Sequence, residues 1–266
     1  MSGARKVEFL VAGVQKGGTS ALFEYLRDLP GLQLPDVKEA HFFDDADRVD
    51  WVHPDYGPYH DLFVDDGRMW GEATPIYIYW PDAIARIAAY NPTMRFILLF
   101  RDPIQRAWSH WKMEYAKGKE TRPFQWCIRE GRARMDPDNI AAASHHRVFS
   151  YVERGFYGRQ VSSLLKYFPR EQCLFLRSED LRDRPNTVIP EICSFLDQTS
   201  APSVAVRIIH SAREQDYGTK LQPADIALLA DTYADDLKQF GALTGIATSA
   251  WSARWKAEMN SIKPVD

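Results

Sequence analysis

The chain opens on a short apolar run, Val7-Glu8-Phe9-Leu10-Val11-Ala12, closed by Gly13. A run of that length with one charge suits a strand buried on both faces, as in a parallel sheet. Beyond it Leu22, Tyr25, Leu26 and Leu29 fall at i, i+3, i+4 and i+7, one face of a helix, and Pro30-Gly31 ends the pattern. Met94 to Phe100 reads as a second buried strand. Asp102-Pro103 then supplies an N-cap and a first-turn proline, so Pro103 to Tyr115 is expected to be helical, with Arg101 at the strand end. Tyr157 to Tyr167, Thr187 to Leu196 and Ala224 to Phe240 carry further helical patterning, and Cys173 to Leu176 reads as a short strand. Asp44 to Gly67, rich in Asp, Pro, Tyr and His, reads as a long, lid-like surface excursion.

Strand, glycine-rich turn and helix in that order open an α/β fold. The expectation is a single domain over residues 1–266, a central parallel sheet flanked by helices in three layers with right-handed crossovers. Hydrophobic residues make up 45% and charged residues 26%, enough to build a core. A net charge of -3, from 33 basic and 36 acidic residues, speaks against a nucleic-acid partner, although a local basic cleft is compatible with it. Cys127, Cys173 and Cys193 form neither an even framework nor a metal-ligand spacing, and are expected to be buried thiols in a reducing compartment. Val7 to Val14 is too short to span a membrane. Together these features lead to the expectation of a cytoplasmic protein that needs no metal.

The chemistry concentrates in Gly13-Val14-Gln15-Lys16-Gly17-Gly18-Thr19-Ser20, between the first strand and the first helix. Two glycines let backbone N–H groups approach an anion, the helix N-terminus adds its dipole, and Thr19 and Ser20 add hydroxyls. Lys16 brings a full positive charge to the same place. In a Walker A loop the lysine directly precedes Ser/Thr, whose hydroxyl holds Mg²⁺; here Lys16 precedes the glycine pair. Such a loop suits a reaction in which the lysine itself neutralises charge on a leaving phosphate. A tight strand-to-helix turn with a solvated lysine remains the plain alternative at this point.

The stretch Val14-Gln15-Lys16-Gly17-Gly18-Thr19-Ser20-Ala21-Leu22 resembles the 5′-phosphosulfate loop of the carbohydrate sulfotransferases, particularly the heparan sulfate N- and 3-O-sulfotransferase branch and its bacterial relatives. The resemblance implies a P-loop-like sulfotransferase fold. It implies the donor 3′-phosphoadenosine 5′-phosphosulfate (PAPS) and the product adenosine 3′,5′-bisphosphate (PAP). By the same resemblance Lys16 contacts the oxygen bridging phosphate and sulfate, and Gln15 and Gly17 to Ser20 hold the 5′-phosphate. Arg101 and Ser109, eight residues on, resemble the family's 3′-phosphate pair. A planar guanidinium at a strand end followed by a hydroxyl less than two turns into a helix is chemically suited to that task. Arg213, Tyr217 and Lys220 fall where the family places a loop that closes over the nucleotide.

Glu39-Ala40-His41-Phe42-Phe43 resembles the Glu-x-His-Phe-Phe segment of the 3-O-sulfotransferases, whose Glu deprotonates the acceptor hydroxyl. His41 is expected to orient Glu39 or touch the acceptor. Gly71-Glu72-Ala73-Thr74-Pro75 departs from that branch, which carries Lys where this chain has Ala73. The departure weakens the analogy with a heparan-like acceptor and leaves Glu72 a candidate to share the base's role. The implied partner is a small-molecule or carbohydrate acceptor, sulfated on a hydroxyl rather than an amine, in a bacterial enzyme.

Overall fold

Five strands of the chain form one wholly parallel sheet: β1 (Phe9–Gly13), β2 (Leu32–Gln33), β3 (Met69–Glu72), β4 (Arg95–Phe100) and β5 (Cys173–Arg177). Their order across the sheet is β2-β3-β1-β4-β5. The structure is a computed structural model that describes residues 5–135, 145–199 and 217–260. Its α/β architecture with a parallel sheet flanked by helices is the one the hydrophobic pattern predicts.

The described residues divide between two compact units, residues 1–101 with 163–209 and residues 102–162 with 210–266. The first unit contains the sheet, together with helices α1 (Thr19–Arg27), α2 (Gly57–His60), α3 (Ala83–Tyr90), α8 (Ser178–Asp183) and α9 (Pro185–Phe195). β1 pairs with β3 in the register Phe9↔Gly71 and with β4 in the register Phe9↔Arg95, so it has a neighbour on each side. The chain leaves β1 at the point where the strand order diverges, and that is where open α/β sheets place their ligands. Side chains alternate across the strands. Phe9, Val11, Ile97, Leu99 and Leu176 face Leu22 and Leu26 of α1 and Val188, Ile189 and Ile192 of α9 in one buried cluster. Leu10, Phe96, Leu98 and Phe100, the alternate residues of β1 and β4, are also fully buried, and Phe96 lies 4.6 Å from Phe168. Burial of both faces is why β1 and β4 read as unbroken apolar runs.

The excursion after Phe43 is packed down rather than free-standing. Phe42 stacks on Tyr59 at 4.8 Å, Phe63 stacks on Trp70 at 5.0 Å, and Phe43 meets Tyr77 edge-on at 5.6 Å. His60 Nε2 lies 2.9 Å from the Tyr90 hydroxyl, which accepts a hydrogen bond from the Val7 N–H. These rings anchor α2, whose Tyr59 is buried, and leave Val52 and Val64 exposed. The spacing gave no period here because aromatic pairs separated by irregular backbone hold the segment.

The second unit is helical: α4 (Pro103–Ala116), α5 (Phe124–Cys127), α6 (His145–Phe149), most of α7 (Tyr157–Leu164), α10 (Pro223–Thr244) and α11 (Ser249–Asn260). Asp102 caps α4 as expected, accepting from the N–H groups of Ile104 and Gln105. α7 is capped from a distance, since Asp236 of α10 accepts from the N–H groups of Gly158 (2.7 Å) and Arg159 (3.0 Å). α10 starts with a capping box of Gln222 and Asp225 and ends at Gly245, φ 76°. The three cysteines are buried and unpaired, and burial pushes the Cys127 and Cys173 thiols up to about 12. At that level they are inert. Among the described residues no helix is long and apolar enough to cross a membrane.

Candidate active site

The turn after β1 has a backbone geometry suited to an anion. Val14 donates its N–H to Leu99 O (3.1 Å) and Gly17 donates to Val14 O (2.9 Å), folding the loop back over the ends of β1 and β4. A Cβ on Gly17 would sit 2.3 Å from Leu99 O and 2.9 Å from Val14 O, both backbone atoms that cannot swing aside. Gly18 takes φ 94° as the N-cap of α1, a left-handed conformation that glycine adopts without steric cost. The first N–H groups of α1 are therefore presented at the loop, with buried Thr19 and half-buried Ser20 at their base. Gly17→Ala should collapse this geometry and cost about 1–3 kcal/mol, the usual range for overpacking a tight site. Denaturant unfolding of the variant measures it; an unchanged midpoint would contradict the close approach.

Lys16 is half-buried and sits at φ 67°. Arg101, at the end of β4, donates from Nη1 to the Lys16 carbonyl at 3.4 Å, so the two cations that the sequence singled out in this unit meet at one loop. Ser178 joins them from the end of β5: its Oγ lies 3.3 Å from where a Cβ on Gly18 would be. Nothing in the sequence pointed to Ser178, which reaches the loop only through the β4·β5 pairing.

A second cluster lies on the segment before the aromatic excursion. Glu39 and His41 both have positive φ, 68° and 53°. Five described non-glycine residues share this conformation, and three of them are Lys16, Glu39 and His41; the other two are Asp82 and Asp197. Aspartate and histidine are enriched in the left-handed region, whereas a Lys or Glu there costs on the order of 1–3 kcal/mol and points to a place where the surroundings hold the backbone. The Glu39 N–H donates to Ala73 O at 3.1 Å and the His41 N–H to Thr74 Oγ1 at 3.4 Å, which clamps the segment to the end of β3.

The side chains form a charged chain. Lys38 Nζ donates to Glu39 Oε1 at 2.6 Å, His41 Nε2 lies 3.4 Å from Glu39 Oε2, and His41 Nδ1 lies 3.0 Å from Oδ2 of fully buried Asp44. Burial raises the Glu39 carboxyl, but the hydrogen bonds and charges of His41 and Lys38 outweigh it and bring the group down to about 2. His41 is lifted to about 9, chiefly by Asp44 and then by Glu39, against the opposing effect of burial. Imidazolium between two carboxylates is thus the neutral-pH state. Lys38 and Asp44 were not singled out from sequence, although both are near neighbours of Glu39; irregular backbone gives no period from which to infer that they converge.

Glu72 plays a different part. It is fully buried, Thr74 Oγ1 donates to its Oε2 at 3.1 Å, and burial raises it to about 8 despite Thr74 and Tyr77. Its carboxyl is therefore protonated at neutral pH. The folded protein holds this proton between the ordinary carboxylate range and about 8 while the unfolded chain has lost it, so stability falls as pH rises through that window. Glu72→Gln, which cannot ionise, should remove that slope and raise the thermal midpoint at the alkaline end only. Melting curves across pH check this; a parallel loss at every pH would contradict it.

In the second unit, Ser109 is half-buried on α4, about two turns after Asp102. Tyr217 packs its ring 6.0 Å from Trp111 and 6.1 Å from Tyr115 of the same helix, with Lys112 Nζ 5.6 Å from its centre. Lys220 has an exposed side chain, and its carbonyl accepts from Gln125 Nε2 at 3.0 Å. Arg213 lies outside the described residues.

Comparison with known proteins adds independent findings. A family model described as the sulfotransferase domain matches residues 6–217. Heparan sulfate glucosamine 3-O-sulfotransferase 3B1 of Homo sapiens is 30% identical over 200 residues, covering 73% of this chain and 47% of the human protein. The 3A1 enzyme of Mus musculus is 30% identical over 189 residues, covering 70% of this chain and 44% of its own length. The chain thus spans about half the length of these curated relatives. A crystal structure of a sulfotransferase from Alicyclobacillus acidocaldarius superimposes with a TM-score of 0.75 at 26% identity, covering 94% of this chain and 100% of that one. Mouse sulfotransferase SULT7A1, solved as a complex with PAP, shares the fold with a TM-score of 0.52 at 13% identity, covering 92% of this chain and 90% of its own.

Proposed function

The chain belongs to the sulfotransferase family, and on that premise we propose that it transfers a sulfuryl group from PAPS to a hydroxyl of a small-molecule or carbohydrate acceptor. The observation that supports it most is the coincidence of strain with chemistry: Lys16 and Glu39, a lysine and a glutamate, both hold a left-handed backbone conformation, and His41 beside Glu39 shares it. The reaction is an in-line displacement. The acceptor O–H gives its proton to Glu39 as its oxygen forms a bond to sulfur, and the bond from sulfur to the bridging phosphate oxygen breaks. Charge developing on that oxygen meets the Lys16 ammonium and the N–H groups at the start of α1, the arrangement that stabilises a leaving anion most effectively. Arg101 and Ser109 are assigned to the 3′-phosphate, and Tyr217, Lys220 and Arg213 to the nucleotide cover.

Glu39 rather than Glu72 is assigned as the base, because a carboxyl that is protonated at neutral pH cannot accept the acceptor's proton. Glu39 is itself held near 2 by Lys38 and His41, which makes it a weak base at rest. An incoming hydroxyl that displaces Lys38 from Oε1 relieves part of that lowering, while the His41 hydrogen bond to Oε2 remains. Lys38 also supplies a cation beside Glu39 in a chain that has Ala73 in place of the 3-O-sulfotransferase lysine. The names of the 30% relatives support a carbohydrate acceptor, and Lys38 leaves room for one with an acidic group next to the reacting hydroxyl. The buried, unpaired thiols accord with a reducing compartment such as the cytoplasm.

The test is incubation of the full chain with ³⁵S-labelled PAPS and fractionated cell extract. The expected result is chain-dependent release of PAP matched by label in one acceptor fraction. Release of PAP with all label recovered as free sulfate, for every fraction, would contradict it.

A further inference from the structure

α11 lies beyond the residues that the family model matches, yet it carries a buried contact to the start of α4. Trp251 and Trp255 are one helical turn apart, and both are buried. Trp251 stacks on Phe240 of α10 at 6.2 Å, which fixes the helix in place. Trp255 Nε1 donates to Oδ2 of Asp102 at 2.9 Å, while the other oxygen, Oδ1, accepts from Ile104 N (2.9 Å) and Gln105 N (3.2 Å). Arg254 Nη1 is 4.0 Å from the same Oδ2. Asp102 is fully buried, so every donor it has in the fold comes from these groups or from residues packed beside them. Burial raises the Asp102 carboxyl above the ordinary carboxylate value, and the Trp255 hydrogen bond is the first of the contacts that work against it in favour of the ionised form.

We propose that Trp255 is a positioning residue for the donor's 3′-phosphate. It fixes the Asp102 carboxylate, which holds the first turn of α4, and α4 carries Ser109 about two turns on. The proposal rests on the assignment of Ser109 to the 3′-phosphate. It gives α11 a role in nucleotide selectivity: the preference for a ligand with a 3′-phosphate depends on an indole N–H that touches no ligand.

The experiment is calorimetry of the full chain with PAP and with 5′-AMP, which lacks the 3′-phosphate, on wild type, Ser109→Ala, Trp255→Phe and Asp102→Asn. Trp255→Phe keeps the ring and removes the donor. Asp102→Asn can keep an acceptor for the helix cap while losing the acceptor for the indole, and it cuts the same bond should the phenylalanine variant fold poorly. The expected result is a PAP preference over 5′-AMP that falls about three- to tenfold in Trp255→Phe, in the range of a lost helix-cap interaction, with 5′-AMP affinity unchanged. Ser109→Ala should lower the same preference. If Ser109→Ala lowers it and neither Trp255→Phe nor Asp102→Asn does, the positioning role is wrong and the phosphate assignment stands. Equal weakening of both ligands would make Trp255 merely structural and overturn the proposal. A preference indifferent to Ser109→Ala would overturn the assignment on which the proposal rests.

Discussion

Lys16→Ala is expected to lower sulfuryl transfer about 10²- to 10³-fold, the loss typical of removing one donor that stabilises charge in a transition state. Two features make the effect chemical rather than structural. Lys16 is only half-buried, so removing its side chain opens no core cavity. Its backbone is at φ 67°, and alanine meets the same steric cost there, so the strain neither grows nor relaxes. The thermal midpoint should therefore stay close to that of wild type while the rate falls. Steady-state PAP release, with melting curves on the same samples, checks both halves. Near-normal turnover in a folded variant would remove Lys16 from the mechanism.

Glu39→Gln carries the second large effect. Glutamine keeps the shape and an oxygen near Lys38, but it cannot accept a proton, so the rate should fall about 10²- to 10⁴-fold, the span of general base catalysis. Donor affinity should persist, because the phosphate loop is intact. That split between rate and binding distinguishes an enzyme from a module that only binds nucleotide. The pH profile sharpens it. With Glu39 near 2 and His41 near 9, the resting ion pair is intact across the neutral range, and the wild-type rate should show no acid limb from Glu39 above pH 4 or so. Activity of Glu39→Gln close to wild type would shift the search to another base.

The strands that position the phosphate loop were legible from sequence because burial on both faces writes them as apolar runs. β3 was not: Met69–Glu72 is four residues long and ends in a carboxylate, and only its place between β1 and β2 makes it a strand. α3 leaves a faint trace as well: Ile84, Ile87 and Tyr90 are all buried, but eight residues give the period little more than two turns in which to show. The same distinction holds at the site. Lys16, Glu39 and Arg101 stand in local motifs that survive as strings. Lys38, Asp44 and Ser178 act through distances set by irregular turns or by strand pairing, and Trp255 reaches Asp102 across 153 positions of chain. Charge perturbation is also invisible in a string: Glu39 and Glu72 are the same residue type, and only burial and neighbours drive one to about 2 and the other to about 8.

The proposed function requires the loop after β1 to be a metal-independent cradle for a nucleotide with both 5′- and 3′-phosphates. Calorimetry of the full chain against PAP in the presence of a chelator, set beside ATP with Mg²⁺, tests it most directly. PAP should bind without a divalent ion and at least about tenfold more tightly than ATP with Mg²⁺, a difference of about 1.4 kcal/mol. Binding of ATP with Mg²⁺ in preference to PAP, or a divalent requirement for PAP itself, would contradict it.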